Sequence, residues 1–200
     1  MLSSGFLGGG SNGSEHPPLE GFAPRKDPLA RTLDVLAERL EPGATESGGV
    51  FFRADAIPLE GVAELASLEP TGEPGAMFVG VASRHFEPQG FFDLFDSEAQ
   101  VPWRLLVRWM AELAGHHVAS SPLGQALAEA GVSETEVRAL VDRRGADLHR
   151  GLWEQLGILR DAHRTLDFFD VARLLLTDSD EEERLSVWSE ILDVYREHRP

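Results

Sequence analysis

Ser133-Glu134-Thr135-Glu136-Val137-Arg138-Ala139-Leu140-Val141 reads as a helix that carries its own start signal. A serine in the capping position accepts from the backbone of the third helical residue, and a glutamate there reaches back to the serine. Val137, Leu140 and Val141 then fall on one helical face, so the spacing predicts a helix running on to Gly145. Upstream, Ser121-Pro122 opens a helix with Leu123, Ala126, Leu127 and Ala130, closed by Gly131. Downstream, Leu148, Leu152, Leu156 and Leu159 recur at helical spacing. Leu166 to Leu176 is apolar nearly all round, as expected of a central buried helix. Ser179 with Glu182 repeats the capping box ahead of Leu185, Trp188, Leu192 and Tyr195. Before all of these, Trp103, Leu106, Val107, Met110 and Leu113 predict a helix ending near Gly115. Short helices with brief connections make a bundle.

The N-terminal half is less regular. Asp27-Pro28 is a cap followed by proline at the first helical position, and Leu29, Leu33, Leu36 and Leu40 continue it to Pro42-Gly43. Val50 to Ile57 is open between strand and helix. Pro58 to Leu68 predicts a helix with Leu59, Val62, Leu65 and Ala66 along one side. Ala76 to Ala82 fits a buried strand or a short buried helix, which periodicity cannot separate at that length. Phe91 to Phe95 forms an aromatic cluster or a docking knob. Residues 1–26 include Gly8-Gly9-Gly10-Ser11-Asn12-Gly13-Ser14 and Pro17-Pro18, a composition that predicts a flexible tail. No Gly-Lys-Ser/Thr follows those glycines, so they do not read as a phosphate loop. The expected organisation is all-α: a tail at 1–26, an N-terminal helical region at 27–118 and a C-terminal helical bundle at 119–200.

Composition restricts the chemistry. The chain has no cysteine, which removes disulfides, thiolate metal sites and cysteine nucleophiles. No apolar run approaches a membrane span, and the first residues lack the basic start of a secretory signal, so a cytoplasmic protein without membrane contact is expected. Lys+Arg total 18 against Asp+Glu 34, a net charge of −16. Such a surface repels phosphate overall and disfavours unspecific nucleic-acid binding. Any useful positive surface must therefore be local.

Candidate chemical groups have structural explanations. Glu112 and His116 are four residues apart on one helical face, next to His117, but no second Glu-x-x-His pair completes a di-metal set. These histidines read as capping or part-buried groups, and His149 and His163 as surface or boundary residues. Asp178, Asp180, Glu181, Glu182 and Glu183 lack the spacing and central glycine of a calcium loop, and acidic residues suit a first helical turn. No nucleophile elbow or triad is evident. No enzyme activity, cofactor or metal is expected.

Residues 123–145 also fit a helix-turn-helix, with Gly131 as the turn glycine. Glu134 and Glu136 would then stand at the helix end that normally meets bases, where carboxylates repel phosphates. The most basic stretch lies between Arg138 and Arg173. Its candidate nucleic-acid contacts are Arg138, Arg143, Arg144, Arg150, Arg160 and Arg164, interleaved with six acids. Arg143, Arg144 and Arg150 flank Gly145, where a turn could bring them together. The alternative for all six is a solvated, salt-bridged helix surface.

The C-terminal half resembles the CasB family, the small subunit of the type I-E CRISPR complex Cascade. The resemblance starts at Pro122-Leu123-Gly124-Gln125-Ala126-Leu127-Ala128-Glu129-Ala130-Gly131-Val132-Ser133-Glu134 and passes through Leu140 and Arg144-Gly145-Ala146-Asp147-Leu148. It continues through the Leu152/Leu156/Leu159 helix and Leu166-Asp167-Phe168-Phe169-Asp170-Val171-Ala172-Arg173-Leu174-Leu175-Leu176. Arg184 and Trp188 with Tyr195-Arg196 resemble the family's closing helix. These pieces keep their order over about 80 residues. In the N-terminal half, Phe52-Arg53-Ala54-Asp55 and Pro58-Leu59-Glu60 resemble the family's first segment without most of its basic residues.

The resemblance implies an all-helical, non-catalytic subunit of an antiviral surveillance complex. It would pair with a second copy, contact other Cascade subunits, and lie along crRNA and unwound target DNA. Base pairing with the guide reads sequence in such effectors, leaving backbone contacts and shape to the protein. Two other readings of the residues stay open: an acidic protein-interaction scaffold without nucleic-acid contact, and a helix-turn-helix regulator.

Overall fold

The computed structural model describes residues 27–41, 43–44, 50–51, 56–91 and 99–199. The tail expected at 1–26, the segment Phe52-Arg53-Ala54-Asp55 and the aromatic run after Phe91 lie outside the described residues. Helix α1 (Pro28–Leu40) starts as its sequence predicts: the Asp27 carboxylate accepts from the amides of Leu29 at 2.8 Å and Ala30 at 3.1 Å. A two-residue antiparallel pairing, β1 (Gly43–Ala44) with β2 (Val50–Phe51), follows. Next come α2 (Leu59–Ala66) and α3 (Ala76–Val81), which resolves residues 76–82 as helix. The helix continues into a π-helical turn (Ala82–Phe86) and a 3₁₀ turn (Glu87–Gln89).

Helix α4 (Gln100–Glu112) buries Trp103, Leu106, Val107 and Met110. The C-terminal series is α5 (Leu123–Glu129), α6 (Glu134–Val141), α7 (Gly145–Asp161), α8 (Phe168–Leu176) and α9 (Glu181–His198). The Ser133/Glu136 capping box of α6 forms in full. All four leucines of α7 named from spacing are buried.

Three local expectations are corrected. Helix α6 stops at Val141 because Arg144 Nη1 caps the carbonyls of Val141 and Arg143, both at 2.9 Å. Gly145 instead opens α7 at φ 51°, a conformation that glycine adopts without steric penalty. The cap of α9 is Asp180, not Ser179: a turn closed by Asp180 N–H on the Thr177 carbonyl carries the chain one residue further. The buried face of α9 accordingly runs through Arg184, Val187, Trp188, Ile191 and Tyr195, leaving Leu185 43% exposed. In α2 the inward face shifts from Leu59, 56% exposed, to Gly61 and Leu65.

The regions on either side of residue 118 share one core. Phe78, Phe86 and Leu33 from the first region belong to the same apolar cluster as Val171, Leu174 and Trp188 from the second. Helix α8 packs against α1, α4, α5 and α9, matching its nearly all-round apolar sequence. The connection at 116–121 is laced to the segment before α8. Val118 N–H donates to the Leu166 carbonyl at 3.0 Å, and Leu166 N–H to the His116 carbonyl at 2.9 Å.

Candidate nucleic-acid interface

The corner formed by α5 and α6 has the connectivity of a helix-turn-helix. Gly131 turns at φ 77°, and Val137 and Leu140 face inward. The exposed end of α6, however, is committed to the chain itself. Glu136 closes the capping box, and Glu134 binds Arg138 at 2.9 Å, Arg196 at 3.4 Å and Arg199 at 3.2 Å. Hydrogen bonds from Arg138 and Arg196 hold the Glu134 carboxyl below its ordinary pKa, against the opposing effect of desolvation. The end of a recognition helix that should meet bases thus carries ionised carboxylates.

Each of the six candidate arginines also has a carboxylate neighbour. Arg138 lies on Glu134, one turn back. Arg143 reaches across to α7, where its guanidinium covers Gly151 and lies 3.8 Å from Glu154. Arg144, while capping α6, points toward Glu181 of α9 at 3.8 Å. Arg150 binds Asp147 within α7, and Arg160 binds Asp161 at 3.1 Å. Arg164 holds Glu129 of α5 at 3.1 Å and also donates to its carbonyl.

Arg143, Arg144 and Arg150 flank Gly145 but take three different acidic partners. Gly145 itself donates to Asp178 at 2.7 Å, so the turn contains a carboxylate as well. All six arginines have partly or fully exposed side chains, and exposed pairs of this kind hold together by roughly 1 kcal/mol or less. A phosphate could displace such partners at little cost, but no ready-made positive stripe exists among these six.

The histidines hold elements together. His116 Nδ1 lies 3.0 Å from the Arg164 carbonyl. His117 Nδ1 accepts from the Phe168 amide at 3.3 Å, which leaves Nε2 to donate to Asp34 at 2.9 Å. Glu112 pairs with Arg108 at 2.8 Å. No group of three or more His, Asp or Glu side chains placed to hold a metal ion occurs among the described residues. Nor is any helix among them long and apolar enough to cross a membrane.

Sequence reading named the residues that organise this half but not the contacts they make. Asp170 accepts from the Leu123 amide at 2.9 Å, and Tyr195 donates to the Val132 carbonyl at 2.6 Å. Arg184, wholly buried, donates to the Val141 carbonyl. Gly124 lets α9 approach so closely that a Cβ there would meet the Ile191 carbonyl. Nothing in the spacing distinguishes these residues, because each acts on a backbone group distant in sequence.

No family model, curated protein or solved structure matches this chain.

Proposed function

We propose that the chain is a non-catalytic small subunit of a crRNA-guided type I-E surveillance complex, supporting assembly and stabilising the unwound target strand. One observation carries the reading. Residues behind the CasB resemblance, scattered over about 80 positions, meet as one framework: Leu123 with Asp170, Gly124 with Tyr195, and Val132 with Tyr195. A set of residues that resembles a family and also interlocks physically is more informative than either property alone. In this reading the partners are other Cascade subunits, a second copy of the chain, crRNA and target DNA.

The ion pairing of all six candidate arginines favours a second reading, an acidic scaffold that meets basic protein neighbours without touching nucleic acid. The two separate in a salt-titrated DNA-binding assay on complexes reconstituted with wild-type subunit or with Arg143, Arg144 and Arg150 all replaced by alanine. Phosphate contact predicts weaker binding and a salt slope lowered by about 0.7 to 0.9 for each phosphate that the variant no longer neutralises. Unchanged affinity and slope, with normal incorporation, would establish the scaffold reading for this surface.

A further inference from the structure

The N-terminal half holds a positive surface of a different kind. Arg31 and Arg84 are the exposed arginines that form no ion pair among the described residues. For Arg31 the reason lies on α1 itself. The carboxylate of Asp27 caps the helix, and that of Asp34, one turn on, is taken by His117 at 2.9 Å. Arg84 sits in the π-helical turn and has Gly80 and Pro88 at the positions four residues away. Neither is an acid, and Glu87, three residues on, forms no ion pair with it among the described residues.

The two arginines line the same depression, a cavity of about 310 Å³ between α1 and the π-helical turn, with Thr32, Val35, His85 and Gln89. The half-buried imidazole of His85 is held below its ordinary pKa by burial first and then by Arg39 and Arg84. On a chain of net charge −16, a pocket lined by two arginines that form no ion pair among the described residues is an exception.

We propose that the pocket between α1 and the π-helical turn binds a phosphate group, with the Arg31 and Arg84 guanidiniums as its principal donors. Two guanidinium forks, the Gln89 amide and the His85 ring offer more donors than the two oxygens of a carboxylate can use. The tetrahedral oxygens of a phosphate accept from several directions at once, and arginine forks match them in pairs. Val35, 44% exposed, gives the rim an apolar edge against which the carbon skeleton bearing the phosphate can rest. The pocket lies outside the residues that carry the CasB resemblance, and the inference does not depend on that reading.

The test is a side-chain NMR titration of the full chain with inorganic phosphate and, separately, with a short oligothymidylate. Both should shift the Arg31, Arg84 and His85 signals. The double variant Arg31→Gln/Arg84→Gln should weaken binding at least about tenfold, and Arg31→Lys/Arg84→Lys less, because charge survives without the fork. Response to the oligonucleotide alone would identify the phosphate as one carried on a strand, and response to both would include free phosphate. The proposal fails if neither probe shifts the three residues, or if the glutamine variant binds as wild type does. It fails equally if a polyglutamate peptide displaces phosphate at equal concentration, since the pocket would then be a carboxylate site. Shifts confined to Arg143, Arg144 and Arg150 would overturn the pocket while supporting nucleic-acid contact at the other surface.

Discussion

The His117 imidazole donates to the Asp34 carboxylate at 2.9 Å, joining residues 83 positions apart. Its other nitrogen accepts from the amide of Phe168, so one side chain ties α1 to the start of α8. The side chain is 8% exposed, and losing it leaves a buried amide without its acceptor. His117→Ala should therefore cost about 1 to 3 kcal/mol, measured by chemical denaturation. Because the two halves share a core, tryptophan fluorescence and far-UV circular dichroism should follow one transition.

Close approach of α5 to α9 depends on Gly124. A Cβ at that position would lie 2.9 Å from the Tyr195 nitrogen and nearer still to the Ile191 carbonyl, and backbone cannot yield as a side-chain tip can. Gly124→Ala should destabilise by about 1 to 3 kcal/mol, with a lowered denaturation midpoint. Tyr195→Phe, which removes only the bond to Val132, should cost about 1 kcal/mol and leave the packing unchanged.

Arg184 is an expensive residue for the isolated chain. It is wholly buried, its Nε and Nη2 atoms have no hydrogen-bond partner among the described residues, and the Val141 carbonyl that it donates to is also served by Arg144. Replacing a poorly satisfied buried charge by an apolar chain of similar length is commonly neutral or stabilising. Arg184→Met should change stability by less than about 1 kcal/mol or raise it. A loss of several kcal/mol would mean that buried water satisfies the guanidinium.

Asp170 supplies a pH test. Burial raises its pKa above the ordinary 3.8; the bond from Leu123 opposes the shift, and Asp167 adds to it. A carboxyl whose folded pKa is raised contributes stability that is complete below the unfolded value and is lost as pH rises through the folded value. Asp170→Asn keeps an oxygen acceptor for the Leu123 amide and removes the titration. Relative to wild type, the variant should gain stability as pH rises from about 4 to neutral, read from denaturation midpoints across that range. A difference that does not change with pH would show that Asp170 ionises without penalty.

Neutralising the partners of the paired arginines is the converse of removing the arginines. Asp147→Asn with Glu154→Gln leaves Arg150 and Arg143 without the neighbours they now have. Both pairs are exposed, so stability should change by less than about 1 kcal/mol. If this surface meets phosphates, affinity for single-stranded DNA at low salt should rise, and anisotropy of a labelled oligonucleotide measures it directly.

Local physics was legible in the sequence alone. The capping residues Asp27 and Ser133, the stops at Gly131 and after Leu40, and the leucine spacing of α7 act within one or two turns, so their consequences appear in the order of the residues. The helical class and most element positions follow from them. Where two local solutions were of similar energy, tertiary packing chose. Residues 76–82 became a helix, and the inward face of α9 rotated to bury Arg184 and Ile191 in place of Leu185.

Which charges are neutralised was invisible for a related reason. Arg164 meets Glu129 across 35 residues and Arg199 meets Glu134 across 65, whereas Arg31 has no ion pair among the described residues, a histidine from another part of the chain having taken Asp34. Composition determined that the chain is acidic overall. Only the fold decided where positive charge remains, because ion pairing depends on distance in space and side chains far apart in sequence compete for the same carboxylates.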